Sequence, residues 1–500
     1  MAKSFFFNGI LYAFDSASRR FFTLITLVLG SQTITNAQFV KEIIKNNQYQ
    51  IGAAAFLSTS ENLPFWLHAN QHGEVPLKSQ FLQFSGSVHH EYDSLYTKAG
   101  KLNKSSWGYG ARAVANVGKV NQFILSEAYL KARFSAFEIY AGRRKEIFGL
   151  VDTTLTSGSY IWSGNALPMP KIQISIPNYI PILKNGLLSI KGGFAHGWFD
   201  KKRLYTSELK LHQKWLYFRL GKPSWKINFY GGGNHQVQWG GNSPFFAVNE
   251  KLPEGLKNYL HVILGTRGAI TNVAESQDFD ANRIGNHLGS IDLGLRIHLS
   301  SGGTIHLYRQ SFYDDGSLFY LNNIQDGLLG ISYNPKSNIF NFSNLKFLVE
   351  YLNTSNQGGE TFILFSNDLK PVPSELRGID QYFTNGQIRD GWVNNNKTIG
   401  TPFILNPNQQ SDIFNNRVKV FNFSIHARYK KIFLLSKNTL VQNLGTYSLI
   451  NQEGFKFSST IYLSKLLKNN QTFNISLSNS PQTLGLPGSV GLRLAYNKTF

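Results

Sequence analysis

Twelve histidines and a scatter of carboxylates are the side chains of this sequence with the most chemistry to offer. A zinc hydrolase would place two histidines one helical turn apart with a glutamate between them, and no His-Glu-x-x-His occurs. No Gly-x-Ser-x-Gly presents a nucleophile on a strand-to-helix turn, and no P-loop cradles phosphate. Asp278-Phe-Asp-Ala-Asn282 opens like a calcium loop, but its sixth position is Arg283 instead of glycine and its twelfth is Gly289 instead of glutamate. His89 and His90 are adjacent, and adjacent strand residues point to opposite faces, so they cannot share a metal from a strand. Asp314, Asp315 and Glu350 suit charge pairing with Arg143, Arg144 or Arg309 better than an acid–base couple. With no cysteine, disulfides and thiolate metal sites are excluded. The expectation is no enzyme, no metal and no cofactor; an embedded hydrolase is the catalytic class left open.

The elements that would position these groups announce themselves by a period of two. Leu82, Phe84, Gly86 and Val88 alternate with Gln83, Ser85, Ser87 and His89. Ile291, Leu293, Leu295, Ile297 and Leu299 alternate with Asp292, Gly294, Arg296 and His298 before a Ser300-Ser-Gly-Gly303 turn. The same rhythm returns at Leu345–Tyr351, Phe421–Ile425 and Phe473–Leu477, and in the last stretch, Val490 to Phe500. Side chains alternate across a strand, whereas a helical stripe needs spacings of three and four. The 39 Phe, 23 Tyr and 45 Gly against 2 Met point the same way, to strands and turns.

A soluble sandwich also alternates, so the polar face has to decide. Here it carries Arg, Lys, Asp, Glu and His at mid-strand, residues that a wet lumen tolerates and a lipid face penalises by roughly 2–4 kcal/mol for Arg or Lys. No stretch approaches the roughly 18 apolar residues of a spanning helix. Residues 1–37 read as a signal peptide, with Arg19-Arg20, the apolar Phe21–Leu29 and a small residue at Ala37; a membrane anchor is the weaker reading. Residues 38–75 are expected to form a periplasmic or plug segment with a short helix over Pro64–Gln71, and residues 76–500 an all-β transmembrane antiparallel barrel with long extracellular loops. Strands of about ten residues would give roughly 16 to 18 of them. A strand ending on Phe500 is expected to close the cylinder and to engage the barrel-assembly machinery, with outer-membrane lipid around it. The net charge of +21 is spread over single residues without a dense basic run, which argues against nucleic acid and fits acidic polysaccharide or lipid phosphate.

Several separated motifs then carry a resemblance. They are Pro64-Phe-Trp-Leu-His-Ala-Asn-Gln-His-Gly73, Gly142-Arg-Arg144 with Gly158 and Ser163-Gly-Asn-Ala166, and Asn234-His-Gln-Val-Gln-Trp-Gly-Gly241. Leu307-Tyr-Arg-Gln310 with Asp314-Asp-Gly316, Glu350-Tyr-Leu-Asn-Thr354 with Gln357-Gly358, Asp380–Asn385 with Gly391-Trp392, and Asn415-Asn-Arg417 follow. In order and number they resemble the Wzi-type capsule assembly family, although Gln310 and Ser311 depart from a histidine-containing pattern. The resemblance implies a barrel of about 18 strands, closed by inward side chains and loops, that binds exported acidic or neutral polysaccharide at the cell surface without catalysis. A porin for small solutes is the alternative. Aromatic platforms and charged hydrogen-bonding groups hold sugars. Asp380, Tyr382, Asn385, Arg389 and Trp392 are therefore the candidate surface site. Arg143, Arg144, Asn165, His235, Gln238, Trp239, Asp315 and Glu350 are the candidate lumen and plug residues.

Overall fold

Alternation builds a wall with two unlike faces. The computed structural model describes residues 47–92, 105–183, 185–201, 203–245, 250–266, 284–314, 318, 321–336, 342–359, 361–363, 375–377 and 379–500. Residues 1–37, expected to be a signal peptide, together with Asp315 and the 278–282 motif, lie outside the described residues. In chain order the strands are β1 (Asn47–Ser58), β2 (Phe81–His90), β3 (Ser105–Gly118), β4 (Gln122–Phe134), β5 (Phe137–Arg143), β6 (Lys171–Pro181), β7 (Leu188–Trp198), β8 (Lys210–Leu220) and β9 (Ile227–Trp239). They continue with β10 (Asn286–His298), β11 (Thr304–Tyr313), β12 (Gly327–Asn334), β13 (Ser343–Asn353), two short ribbons β14 (Thr361–Ile363) with β15 (Glu375–Arg377) and β16 (Val393–Asn394) with β17 (Lys397–Thr398), then β18 (Val418–Tyr429), β19 (Ile432–Asn443), β20 (Lys456–Leu466), β21 (Gln471–Ser480) and β22 (Ser489–Thr499). Among the described residues two helices accompany them, α1 (Phe65–His68) and α2 (Leu256–Leu264).

Eighteen of these strands form one closed antiparallel sheet. Closure is made by β22 on β1, in register from Gln50 opposite Thr499 to Ser58 opposite Gly491. Closure leaves no unpaired edge, the condition for a sheet to stand in lipid. The alternation sorts as anticipated: Phe84, Leu130, Ile174, Phe218, Leu293, Ile331, Phe423 and Leu477 stand exposed on the outer face, while Asp292, Gln310, Glu350, Asn422 and Ser476 are buried on the inner one.

Connections also sort by end. Turns at 135–136, 221–226, 299–303, 430–431 and 467–470 gather at the end where β1 begins and β22 finishes. The longest connections, 59–80, 144–170, 240–285 and 354–417, all lie at the other end, although the tight turn 119–121 is there too and the connection 91–104 lies at the first end. Outer-membrane barrels keep short turns periplasmic and long loops extracellular, so the long connections mark the outer end.

Two expectations change here. The barrel begins at Asn47 instead of residue 76, because β1 is hidden in an Ala-rich run whose inner face (Ala54, Phe56) is as apolar as its outer one (Ile51, Leu57). The helix is also shorter than Pro64–Gln71: Ala69 is extended and Asn70 and His72 take positive φ, which ends it after His68. It sits in the connection 59–80, at the end opposite the one expected, packed on β20 and β21 with Trp66 Nε1 donating to Thr439 Oγ1 at 3.2 Å.

Candidate functional site

Among the described residues, a large cluster of buried side chains occupies the interior of the cylinder. Two long connections, 144–170 and 379–417, run back into the lumen and supply most of its apolar core: Leu155, Tyr160, Ile161 and Trp162 from the first, and Tyr382, Phe383, Trp392, Ile399, Phe403 and Ile404 from the second. Tyr160 stacks on Phe312 of the wall at 3.6 Å and meets Phe383 edge-on at 5.0 Å. The two segments pair with each other: Thr401 N donates to Tyr160 O at 3.0 Å, and Ser163 N to Ile399 O at 3.1 Å. Gly400 is required at this crossing, since a Cβ there would lie 1.8 Å from Tyr160 O.

A segment with no ladder to the wall has backbone groups that need partners, and the inner wall supplies them. Glu350 accepts from Thr156 Oγ1 (2.7 Å), Ser157 N (2.6 Å), Asn422 Nδ2 (3.3 Å) and the Tyr308 hydroxyl. Asp292 Oδ2 accepts from Leu150 N (2.9 Å) and Gln310 Nε2 (3.0 Å), and Gln310 Oε1 accepts from Tyr160 N (3.1 Å). Gln238 of the wall donates to Gly391 O at 2.9 Å, and between the two segments themselves Asn165 donates to Thr398 O at 3.0 Å. The buried pair Arg203–Asp390 (3.1 Å) fastens the second segment to the connection 199–209.

Charges tie down the start of the first segment. Arg144 bridges Glu138 (2.6 Å) and Glu146 (3.0 Å), and Lys171 reaches Glu146 at 2.7 Å. Burial alone would raise the Glu146 carboxyl, but the Lys171 and Arg144 charges reverse the sign and hold it below its usual value. Glu74 behaves likewise: burial opposes ionisation, yet the bond from Arg112 (2.8 Å) and the ammonium of Lys145 (2.5 Å) bring it down to about 2. Lys397 is the contrary case. Its ammonium, donating to His68 O (2.8 Å) and Val75 O (2.9 Å), has no carboxylate among those contacts, and burial lowers it to about 7.

Of the lumen candidates, Arg144, Asn165, Gln238 and Glu350 lie inside the cylinder with the partners just given. Glu350 is held by hydroxyls and amides instead of the arginines expected. Arg143, His235 and Trp239 are on the outer face. Parity decides: Arg143 shares its face with exposed Phe137 and Ile139, and His235 and Trp239 share theirs with exposed Ile227 and Phe229.

The surface candidates divide. Tyr382 and Trp392 have no exposed surface; Tyr382 is bonded through its hydroxyl to Asp326 at 2.9 Å, and Trp392 lies on Phe199. No polymer outside the barrel reaches either ring. Asn385 closes a turn by accepting from Gln387 N (3.1 Å) and Ile388 N (2.8 Å), and Asp380, part-exposed, donates its N–H to Gln357 O. Arg389 is exposed, its guanidinium 3.9 Å from the centre of the Phe245 ring. Tyr205 meets Phe245 edge-on at 5.3 Å, and both rings are more than a third exposed. This outer-end trio joins three connections distant in sequence. Neither Tyr205 nor Phe245 lies in an alternating or clustered pattern, so the sequence carries no signal that marks them.

The family model of the capsule assembly protein Wzi matches residues 52–403, more than half of the chain. The chain belongs to the Wzi family. Among solved structures, this Wzi-family barrel is similar to Wzi of Escherichia coli, with a TM-score of 0.56 at 12% identity over 93% of this chain and 87% of that one. That protein is described as an outer membrane protein involved in group 1 capsule assembly and as a carbohydrate-binding β-barrel. OccAB2 of Acinetobacter baumannii aligns with a TM-score of 0.45 at 10% identity, over 91% of this chain and 98% of that one. No curated protein sequence matches the chain. Family and fold together make the closed strand cylinder an outer-membrane barrel.

Proposed function

We propose that this protein holds exported polysaccharide at the cell surface, as part of capsule or exopolysaccharide assembly, and binds it at the outer end of a closed barrel. The observation that carries the reading is the exposed trio Tyr205, Phe245 and Arg389, mounted over a lumen filled by the protein's own chain. Aromatic faces pack against the apolar faces of sugar rings, and a guanidinium adds forked hydrogen bonds to hydroxyls or uronic carboxylates. The strongly basic balance of the chain favours acidic polymers further. The solved E. coli family member, described as carbohydrate-binding, supports the same assignment. No reaction is needed, since retention requires binding alone.

The test is a chromosomal deletion complemented with wild type or with a Tyr205→Ala/Phe245→Ala/Arg389→Ala variant, followed by assay of cell-bound and shed polysaccharide. The wild type should restore retention, and the triple variant should shed polymer while still reaching the outer membrane. Retention unchanged by the deletion would refute the role; retention fully restored by the variant would refute the site.

A further inference from the structure

We propose that α2 is an interfacial helix, lying outside the barrel in the outer leaflet with lipid acyl chains covering its leucine face. The proposal rests on the outer-membrane placement of the barrel and is independent of sugar binding.

The sequence of the helix divides cleanly. At 3.6 residues per turn, Val262, Tyr259, Ile263, Leu256, Leu260 and Leu264 follow one another around a continuous apolar arc of roughly 200°. Lys257, His261 and Asn258 take the remaining edge. An arc this wide needs two apolar neighbours, and the protein provides one. Val262 is buried with Val237, Trp239 and Ile284, and the Tyr259 ring stacks on Trp239 at 4.8 Å. The Tyr259 hydroxyl lies 3.3 Å from His212 Nδ1, and Lys214 Nζ donates to the Ile263 carbonyl.

Those wall contacts fix which side of the barrel α2 occupies. His212 pairs with Val237, and Lys210 with Trp239, so all four share a face. By alternation along β8 and β9 it is the face of exposed Leu216, Phe218, Ile227 and Phe229, which meets lipid. The helix lies on the outside of the cylinder near its outer rim. Leu216, the uppermost exposed leucine of β8, is two residues from Lys214, so the C-terminal end of α2 abuts the apolar belt.

Among the described residues nothing covers the other flank: Leu256, Leu260 and Leu264 are 77%, 53% and 70% exposed. Continuity with the belt identifies what covers them. Burying leucines in hydrocarbon returns roughly 1.5–3 kcal/mol each, and Lys257 and His261 on the polar edge can reach headgroups along their stems. The helix also answers a difficulty in the wall. Lys210, His212 and Lys214 sit on the lipid-facing parity; Lys210 pairs with Glu254 at 2.7 Å just ahead of α2, and the other two bond to the helix itself. A helix seated there keeps the connection that carries Phe245 close to the membrane surface.

The chain has no cysteine, so single-cysteine variants report single sites. Leu260→Cys and Lys257→Cys, each carrying an environment-sensitive fluorophore, would be reconstituted in liposomes after gel heat-modifiability has verified a folded barrel. At position 260 acyl-chain nitroxide lipids should quench severalfold more than aqueous iodide, and at position 257 iodide should win. Equal iodide access at both positions would place the helix in water and overturn the proposal. Protection from both quenchers, with a cross-linked dimer through position 260, would assign the face to a second copy and overturn it as well.

Discussion

The barrel wall and the plug inside it are both rich in apolar side chains, yet opposite forces hold them. In the wall the backbone ladder is continuous around the ring, and residues such as Leu293 and Phe218 point away from the protein into lipid. In the plug, segments 144–170 and 379–417 share no ladder with the wall; their rings pack on one another and on inward residues such as Phe312. Polar side chains also change meaning between the two. Asp292, Gln310 and Glu350 do not line a water-filled channel, as mid-strand charge suggested; they satisfy the backbone and hydroxyls of the plug. The inner face is a socket, and its hydrogen bonds specify where an otherwise aperiodic segment lies.

If that contrast is right, wall and plug fail separately. Glu350→Ala should have the largest effect, because four donors lose their acceptor in a dry interior. The expected cost is about 3–5 kcal/mol, shared between the plug donors Thr156 and Ser157 and the wall donors Tyr308 and Asn422. Limited proteolysis should then cleave within 144–170, the segment that Glu350 holds through Thr156 and Ser157, while the gel shift of the folded barrel survives. Leu293→Arg is the converse, costing about 2–4 kcal/mol of barrel stability where it meets the bilayer middle. Urea unfolding in lipid should register it, with the plug as protease-resistant as before.

Lys397 gives a graded version. Its pKa is about 7 in place and roughly 10.4 once released into water. Between those values the released state holds a proton that the docked state lacks, so docking strengthens as pH rises through the window, by up to about 1.4 kcal/mol per unit. Below about pH 7 both states are charged and the dependence flattens. Protease release of the plug measured from pH 6 to 9 should follow this curve, and Lys397→Met should abolish it. The smallest effect is at the outer surface, where Tyr205→Ala or Phe245→Ala should each weaken glycan binding by about 0.5–1.5 kcal/mol, at most roughly tenfold. Isothermal titration with purified polymer fragments checks it, and neither change should disturb plug or wall.

The same contrast explains what the sequence disclosed. Ile291–Leu299 and Phe421–Ile425 show their faces because one neighbour is lipid and the other is a polar socket, so polarity tracks parity. Where both faces are apolar the rhythm vanishes, as in β1, whose sequence carries no period-two signal. Parity also corrects single positions: Gln238 and Trp239 stand side by side in sequence and on opposite sides of the wall. Nothing periodic marks the plug. Tyr382 and Trp392, in a loop-like stretch with turn residues, have the composition of an exposed sugar platform, and only tertiary packing reveals them as core. Arg389 was legible as a surface cation, but its partners Phe245 and Tyr205 come from connections that folding alone brings together.

Single-channel recording tests the central claim most directly, because a lumen filled by its own chain should pass no ions. Wild-type protein inserted in planar bilayers should leave the current at baseline, and Glu350→Ala should introduce steps as the plug loosens. Steady, open steps from the wild type, at the level of an unobstructed barrel of this strand number, would contradict the account.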